Sequence, residues 1–184
     1  MAMNLCVYCS SSDNVDPKYF TAATELGTRL AARGDTLVYG GASVGLMGAI
    51  ARGVHAGGGR VVGVIPQALV DREVSYPAAD ELLVTANMRE RKAAMEARAD
   101  AFLALPGGVG TLEEISEIMV SKHLRLLDKP LVLLDVDGFY QPLIALFEHM
   151  RAAQFLRAPM EAMFHVAPDL DTAFNYIDGY RPML

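Results

Sequence analysis

Two short segments hold most of the residues able to do chemistry. Pro106-Gly107-Gly108-Val109-Gly110-Thr111 runs straight into the carboxylates Glu113 and Glu114, and Met88-Arg89-Glu90-Arg91-Lys92 gathers cations just upstream. A glycine run at a helix start lets the backbone approach a ligand closely. The unbonded amides and the helix dipole then favour an anion, with phosphate the natural candidate. A carboxylate just past such a nest would repel a neighbouring phosphate, unless it faces another part of the ligand, such as a sugar carbon. Glu113 and Glu114 point about 100° apart on a helix, so only one is expected to enter a site. Spacing leaves open which one, and also allows both to be first-turn acids favoured by the helix dipole. The cationic segment is equally open: a solvated charged face, or an arginine whose planar fork meets a carboxylate and a phosphate ester together.

A second glycine cluster, Tyr39-Gly40-Gly41-Ala42-Ser43-Val44-Gly45-Leu46-Met47-Gly48, has the same strand-then-helix setting. One such cluster alone reads equally well as a tight turn; two on the same rim of a sheet favour a ligand. Neither is a standard nucleotide motif. Glu113 stands where the dinucleotide fingerprint needs glycine, and no Gly-Lys-Ser/Thr step of a phosphate loop occurs.

The elements that position these segments alternate along the chain. Apolar strands are expected at Asn4 to Cys9, Thr36 to Tyr39, Arg60 to Ile65, Glu81 to Thr85, Asp100 to Leu105 and Leu131 to Leu134, with a short one near Phe164. Helices are expected at Pro17 to Arg33, Val44 to Ala56, Asn87 (as N-cap) to Arg98, Thr111 to Leu127, Phe139 to Ala152 and Leu170 to Tyr180. The stretch Gln67 to Asp80 shows no regular period. This alternation predicts an α/β fold, a Rossmann-like doubly wound parallel sheet with helices on both faces, and ligands beyond the carboxyl ends of its strands. No repeat or linker divides residues 1–184, which read as one domain.

Composition narrows the functions. The 184 residues are 52% hydrophobic and 21% charged, with a formal net charge of -6. That balance argues against a nucleic-acid partner, while a local nest could still hold a small anion. No apolar run approaches the roughly 18 residues of a membrane span, and Met1 to Cys9 lacks the basic start of a secretory signal, so a cytoplasmic protein without a membrane partner is expected. Cys6 and Cys9 form a C-x-x-C pair inside an apolar strand, where residues three apart face opposite ways, so the thiols are expected to diverge. His55, His123, His149 and His165 have no ligand spacing, and no lysine has a Schiff-base context. Neither metal nor cofactor is expected.

At these segments the sequence resembles the LONELY GUY family of phosphoribohydrolases, often mislabelled as lysine decarboxylases. The likeness rests on Pro106 to Glu114 as Pro-Gly-Gly-x-Gly-Thr-x-x-Glu and on Met88 to Lys92 as Met-x-x-Arg-Lys. Gly40 to Gly48 (Gly-Gly-x-x-x-Gly-Leu-Met-Gly) and the opening Val7 to Ser12 belong to it too. The likeness covers almost the whole chain and weakens after about Gly138. It implies a Rossmann-like fold, a homodimer, and hydrolysis of cytokinin riboside 5′-monophosphates, and also of AMP, to free base and ribose 5-phosphate. The resemblance places the catalytic residues at Arg91 and Glu114, a choice between the glutamates that spacing leaves open. It places substrate contacts at Glu73, Lys92 and the run Gly107, Gly108, Val109, Gly110 and Thr111. Arg91 itself, Met88, Gly40, Gly41 and Ser11, from the same segments, complete the expected binding set. Ser10, Ala42 and Arg89 depart from common residues of the family. Val120-Ser121-Lys122-His123 replaces a stretch that often carries Trp-Ala near the base pocket, which leaves base preference open.

Breaking an N-glycosidic bond builds positive charge on the sugar carbon and negative charge on the departing base. Glu114 is expected to stabilise the cation and activate water, Arg91 to orient Glu114, and the glycine amides to anchor the 5′-phosphate. Two other readings share the fold: a non-catalytic nucleotide carrier similar to molybdenum cofactor carriers, and a nucleosidase tolerant of many bases. A carrier has no use for a carboxylate at the sugar, and rates on purine and pyrimidine monophosphates separate the second. The stripe Ile115, Ile118, Met119 and Leu126 reads equally as core or as a face for a partner.

Overall fold

The computed structural model describes residues 2–72 and 74–182. The predicted alternation is present throughout. In chain order the elements are β1 (Asn4–Tyr8), α1 (Pro17–Arg33), β2 (Thr36–Tyr39), α2 (Gly45–Ala56), β3 (Arg60–Pro66), α3 (Gln67–Val70), β4 (Glu81–Thr85), α4 (Met88–Arg98), β5 (Ala101–Ala104), α5 (Val109–His123), β6 (Leu131–Leu134), α6 (Gln141–Ala152), β7 (His165–Ala167) and α7 (Leu170–Gly179). The strands form one sheet in the order β4-β3-β2-β1-β5-β6-β7, and every pairing is parallel. This is the expected α/β doubly wound, Rossmann-like architecture.

The apolar strand residues explain why both faces are covered. Leu5, Val7 and Cys9 pack with Leu26 and Leu30 of α1, Ile50 and Val54 of α2, and Phe174 and Ile177 of α7. Cys6 and Tyr8 point to the other face, among Met95 of α4 and Ile115, Ile118 and Met119 of α5. The two thiols therefore diverge as predicted, both are buried, and burial pushes Cys6 up to about 12. A buried thiol held protonated in this way does not act as a nucleophile at neutral pH.

Both ends of α5 differ from the periodic reading by more than local fraying, and both matter. Helix α5 starts at Val109 rather than Thr111, because Gly108 is extended and serves as the N-cap without any side-chain cap bond. At its other end α5 stops at His123 rather than Leu127. Arg125 adopts φ 58, and Lys122 Nζ donates to the Lys129 carbonyl at 2.6 Å, which folds the following chain back. Ile115, Ile118 and Met119 are thus core residues, whereas Leu126 lies beyond the helix and is 77% exposed. The irregular stretch after β3 opens with the single turn α3.

The chain first builds the sheet outward from β1 to β4, then α4 carries it back to place β5 on the other side of β1. The switch point lies between β1 and β5. Loops there diverge to opposite sides and leave a crevice at the carboxyl ends of the strands.

Candidate active site

A cleft of about 570 Å³ occupies that crevice. The β1–α1 loop contributes Ser10, Ser11 and Ser12, and the α5 start contributes Gly108, Val109, Gly110 and Thr111. Gly40 comes from the β2–α2 turn, Met47 from the first turn of α2, Met88 and Arg91 from α4, and Glu114 from α5. Leu69 comes from α3, and Arg72 and Val74 from the loop after it.

The two glycine-rich helix starts differ in what their amides do. In α2, Gly45 N donates to Asp13 Oδ1 at 2.8 Å, and Leu46 N and Met47 N donate to the Ser10 carbonyl at 3.0 and 3.4 Å. These donors are taken by the protein itself, which corrects the expectation that this turn offers its amides to a ligand. In α5, Leu112 N already donates to the Gly108 carbonyl, but the Val109, Gly110 and Thr111 amides have no acceptor among the described residues. The α5 start therefore keeps its first amides open, the arrangement that suits an anion. A Cβ on Gly107 would lie 2.1 Å from Thr111 Oγ1, so the bare backbone is what admits the buried Thr111 side chain.

Arg91 and Glu114 meet beneath this rim. Asn87 caps α4 by accepting from Arg89 N and Glu90 N, each at 3.0 Å, and Glu90 Oε2 reaches back to Ala86 N. That start sets Arg91 inward, 4% exposed and in line with the buried Met95. Arg91 Nη1 donates to Glu114 Oε1 at 2.6 Å, and Nε donates to the Val64 carbonyl at 3.1 Å. A Cβ at position 40 would sit 2.2 Å from Arg91 Nη2, so Gly40 makes room for the guanidinium rather than for a ligand alone. Glu114 is 6% exposed. Burial raises its pKa, while the charge and hydrogen bond of Arg91 pull it down without cancelling the rise. Because α5 begins at Val109, neither glutamate is a first-turn acid. Glu113 lines the outer cleft, half exposed, and pairs with Lys92, which also meets Glu117 at 2.6 Å.

The expected residues are therefore sorted by position. Arg91, Glu114, Met88, Ser11, Gly40, Gly108, Val109, Gly110 and Thr111 come together at the cleft. Lys92, Gly41 and Gly107 do not line it. Lys92 is held on the surface by its two carboxylates, Gly107 packs behind Thr111, and Gly41 is buried with its carbonyl accepting from Tyr76 N at 2.8 Å. Glu73 lies outside the described residues. The divergent Val120 to His123 stretch also stays away from the cleft, and Lys122 ties the end of α5 to Lys129 and Tyr180. Sequence reasoning missed Leu69, Arg72 and Val74. They sit in the single turn α3 and the loop after it, a stretch without hydrophobic period, where the signals were a lone cation and the Glu73 contact implied by the resemblance.

A doubly wound sheet that brings an open helix start and a buried, guanidinium-braced carboxylate to its switch point has the equipment of a hydrolase for a phosphorylated substrate. Comparison with known proteins narrows the class. Residues 47–177 match the family described as "Possible lysine decarboxylase". A rice (Oryza sativa subsp. japonica) cytokinin riboside 5′-monophosphate phosphoribohydrolase is 42% identical over 178 residues, covering 97% of this chain and 74% of its own length. One from Arabidopsis thaliana is 40% identical over 179 residues, covering 97% and 78%. Among solved structures, the molybdenum cofactor binding protein of Rippkaea orientalis aligns with a TM-score of 0.73 at 21% identity, over 97% of this chain and 96% of that one. The molybdenum cofactor carrier protein of Chlamydomonas reinhardtii also gives 0.73, at 24% identity and the same coverage. At those identities the structural likeness establishes the fold. The chain belongs to the LONELY GUY family of cytokinin riboside 5′-monophosphate phosphoribohydrolases, as the sequence motifs implied. The decarboxylase description fits the site poorly, since every lysine is engaged outside the cleft: Lys18 with Asp137, Lys92 with Glu113 and Glu117, Lys122 with the Lys129 carbonyl, and Lys129 with the Glu96 carbonyl.

Proposed function

We propose that this protein hydrolyses the N-glycosidic bond of cytokinin riboside 5′-monophosphates and of AMP, releasing the free base and ribose 5-phosphate. One observation carries the reading: the buried Arg91–Glu114 pair lies beside three amides that have no acceptor among the described residues. The 5′-phosphate binds the amides of Val109, Gly110 and Thr111 at the positive end of α5. That anchor sets the sugar against Glu114. As the C1′–N bond breaks, its electron pair leaves with the base and C1′ becomes cationic. The Glu114 carboxylate faces that cation and accepts a proton from the water whose oxygen bonds to C1′. Arg91 keeps the carboxylate ionised and aimed.

Four further readings accompany the reaction. Residues 1–184 act as a single phosphoribohydrolase domain, because one sheet runs from β1 to β7. The working form is a homodimer, supported by the apolar side chains Leu112, Val120 and Leu124 exposed along α5 and just past its end; sedimentation should give twice the 19.9 kDa chain mass. The protein is cytoplasmic, a compartment suited to its two free thiols, and no helix of the described residues is long and apolar enough to cross a membrane. Neither metal nor cofactor is needed for the steps above.

The activity is tested by incubating the protein with AMP and with isopentenyladenosine monophosphate and separating the products. Free base and ribose 5-phosphate are expected from at least one. Their absence from both overturns the reading. Glu114→Gln should still bind nucleotide while kcat falls by about 10²–10⁴-fold. Full turnover by that variant would remove Glu114 from the chemistry.

A further inference from the structure

The departing base carries away an electron pair, yet Glu114, Arg91 and the α5 amides all act on the phosphate and sugar. The strand order sets the direction in which the cleft extends away from the α5 start. From β5, which feeds the α5 start, the sheet runs through β1 and β2 to β3, which feeds α3 with Leu69 and the following loop with Arg72 and Val74. Three strand spacings make this about 14 Å. Arg91 spans part of that distance, bonded to the Val64 carbonyl of β3 on one side and to Glu114 of α5 on the other. A nucleotide with its phosphate on α5 and its sugar at Glu114 therefore extends its base toward the β3 end. There Leu69, Val74 and Met47 offer apolar contact and Arg72 offers charge.

Resting on the phosphoribohydrolase reading, we infer that the Arg72 guanidinium stabilises the negative charge on the departing base. Arg91 is neutralised by Glu114, and Lys92 is occupied by Glu113 and Glu117. Arg72 is exposed on the cleft wall and has no ion pair among the described residues. Its neighbour Asp71 is engaged by Gln67 Nε2 at 2.7 Å. The loop is also fixed in place. Arg72 N donates to the Leu69 carbonyl at 3.2 Å, Ser43 N to the Val74 carbonyl at 2.8 Å, and Tyr76 N to the Gly41 carbonyl at 2.8 Å. The Gly40-Gly41 turn thereby contributes to the base end of the cleft as a strap rather than as an anion nest. Arginine stays protonated, so Arg72 donates hydrogen bonds to ring nitrogens and transfers no proton. The proton that the base finally carries comes from the attacking water, by way of Glu114 and solvent.

The test compares AMP with its N7-methylated analogue, whose base departs as a neutral species and needs no cation. For Arg72→Ala on AMP, kcat should fall on the order of 10²-fold, the scale of losing one charge-stabilising donor. KM should change by less than about threefold, the mark of an interaction made in the transition state. On the methylated substrate the kcat loss should shrink to less than about fivefold, since no anion forms there. Free guanidinium ion should restore part of the AMP rate. Arg72→Lys should keep more activity than the alanine variant because it keeps the charge. An equal loss on both substrates, a loss confined to KM, or no loss would overturn the role of Arg72 while leaving the hydrolase reading intact. A wild-type protein inactive on every nucleotide would instead overturn the hydrolase reading itself.

Discussion

The two glycine-rich turns of this fold look interchangeable on paper and do opposite things. Each leaves an apolar strand, each opens a helix, and each borders the same cleft. At α2 the first amides are filled from within, by Asp13 and by the Ser10 carbonyl, and Gly41 straps the loop that carries Arg72. At α5 the amides of Val109, Gly110 and Thr111 have no acceptor among the described residues, and the buried carboxylate of Glu114 follows on the same helix. The difference teaches that glycine marks where a backbone can come close, while the occupancy of the amides decides whether what comes close is a ligand or the protein itself.

Substitutions can break this contrast at either turn. The largest effect is expected from Arg91→Met, which leaves the Glu114 carboxylate buried without its counter-charge. Breaking such a pair costs about 3–5 kcal/mol, part of which the site avoids by protonating the acid. Turnover should fall by about 10³-fold, measured as kcat on AMP. The pH profile of the same variant supplies a second readout. In the proposed mechanism the reaction needs ionised Glu114, so activity should rise with pH through the Glu114 pKa. Burial already holds that pKa above the ordinary 4.5, and Arg91 supplies the largest opposing influence. The acid limb of the wild type should therefore lie above 4.5, and in Arg91→Met it should move further toward neutral pH.

Next in size is Gly107→Ala. Its Cβ displaces Thr111, with one charge-assisted phosphate hydrogen bond lost at roughly 1.5–3 kcal/mol. The expected result is a KM raised by about 10–100-fold with the fold intact. The matching change in the other turn, Gly45→Ala, should act on stability instead. Gly45 has φ 58, and a Cβ there would meet Ser11 backbone at 2.4 Å. A cost of about 1–3 kcal/mol should lower Tm by roughly 3–10 °C. KM of the folded protein should change less than in Gly107→Ala. The smallest effect is expected from Asp13→Ala, which removes the acceptor of Gly45 N and should cost about 1 kcal/mol in denaturant unfolding.

Local signals in the sequence explain which features could be read in advance. Buried parallel strands are continuous apolar runs, so Thr36–Tyr39 and Leu131–Leu134 were legible to the residue. Asn87 declared the start of α4 through its cap, and Gly34 the end of α1 through its left-handed conformation. The site was legible as segments but not as geometry. Gly108 caps α5 with backbone alone, so nothing local marked a start at Val109, and the shift of two residues decides whether Glu113 and Glu114 count as first-turn acids. Burial against α4 separates Glu114 from Glu113, and that packing is tertiary. The filled amides of α2 depend on Asp13, 32 residues from Gly45 in the chain, and on the Ser10 carbonyl. Arg72 lies in a loop with no period to read.

The open character of the α5 start is the claim on which the rest depends, and backbone amide resonances report on it directly. The ¹⁵N-labelled protein would be titrated with AMP and, separately, with inorganic phosphate, while the amide shifts of both helix starts are followed. The Val109, Gly110 and Thr111 amides should move in a saturable way with both ligands, and the Gly45, Leu46 and Met47 amides should stay near their starting positions. Shifts centred on the α2 start, or α5 amides indifferent to both ligands at saturation, would contradict the assignment of the phosphate site.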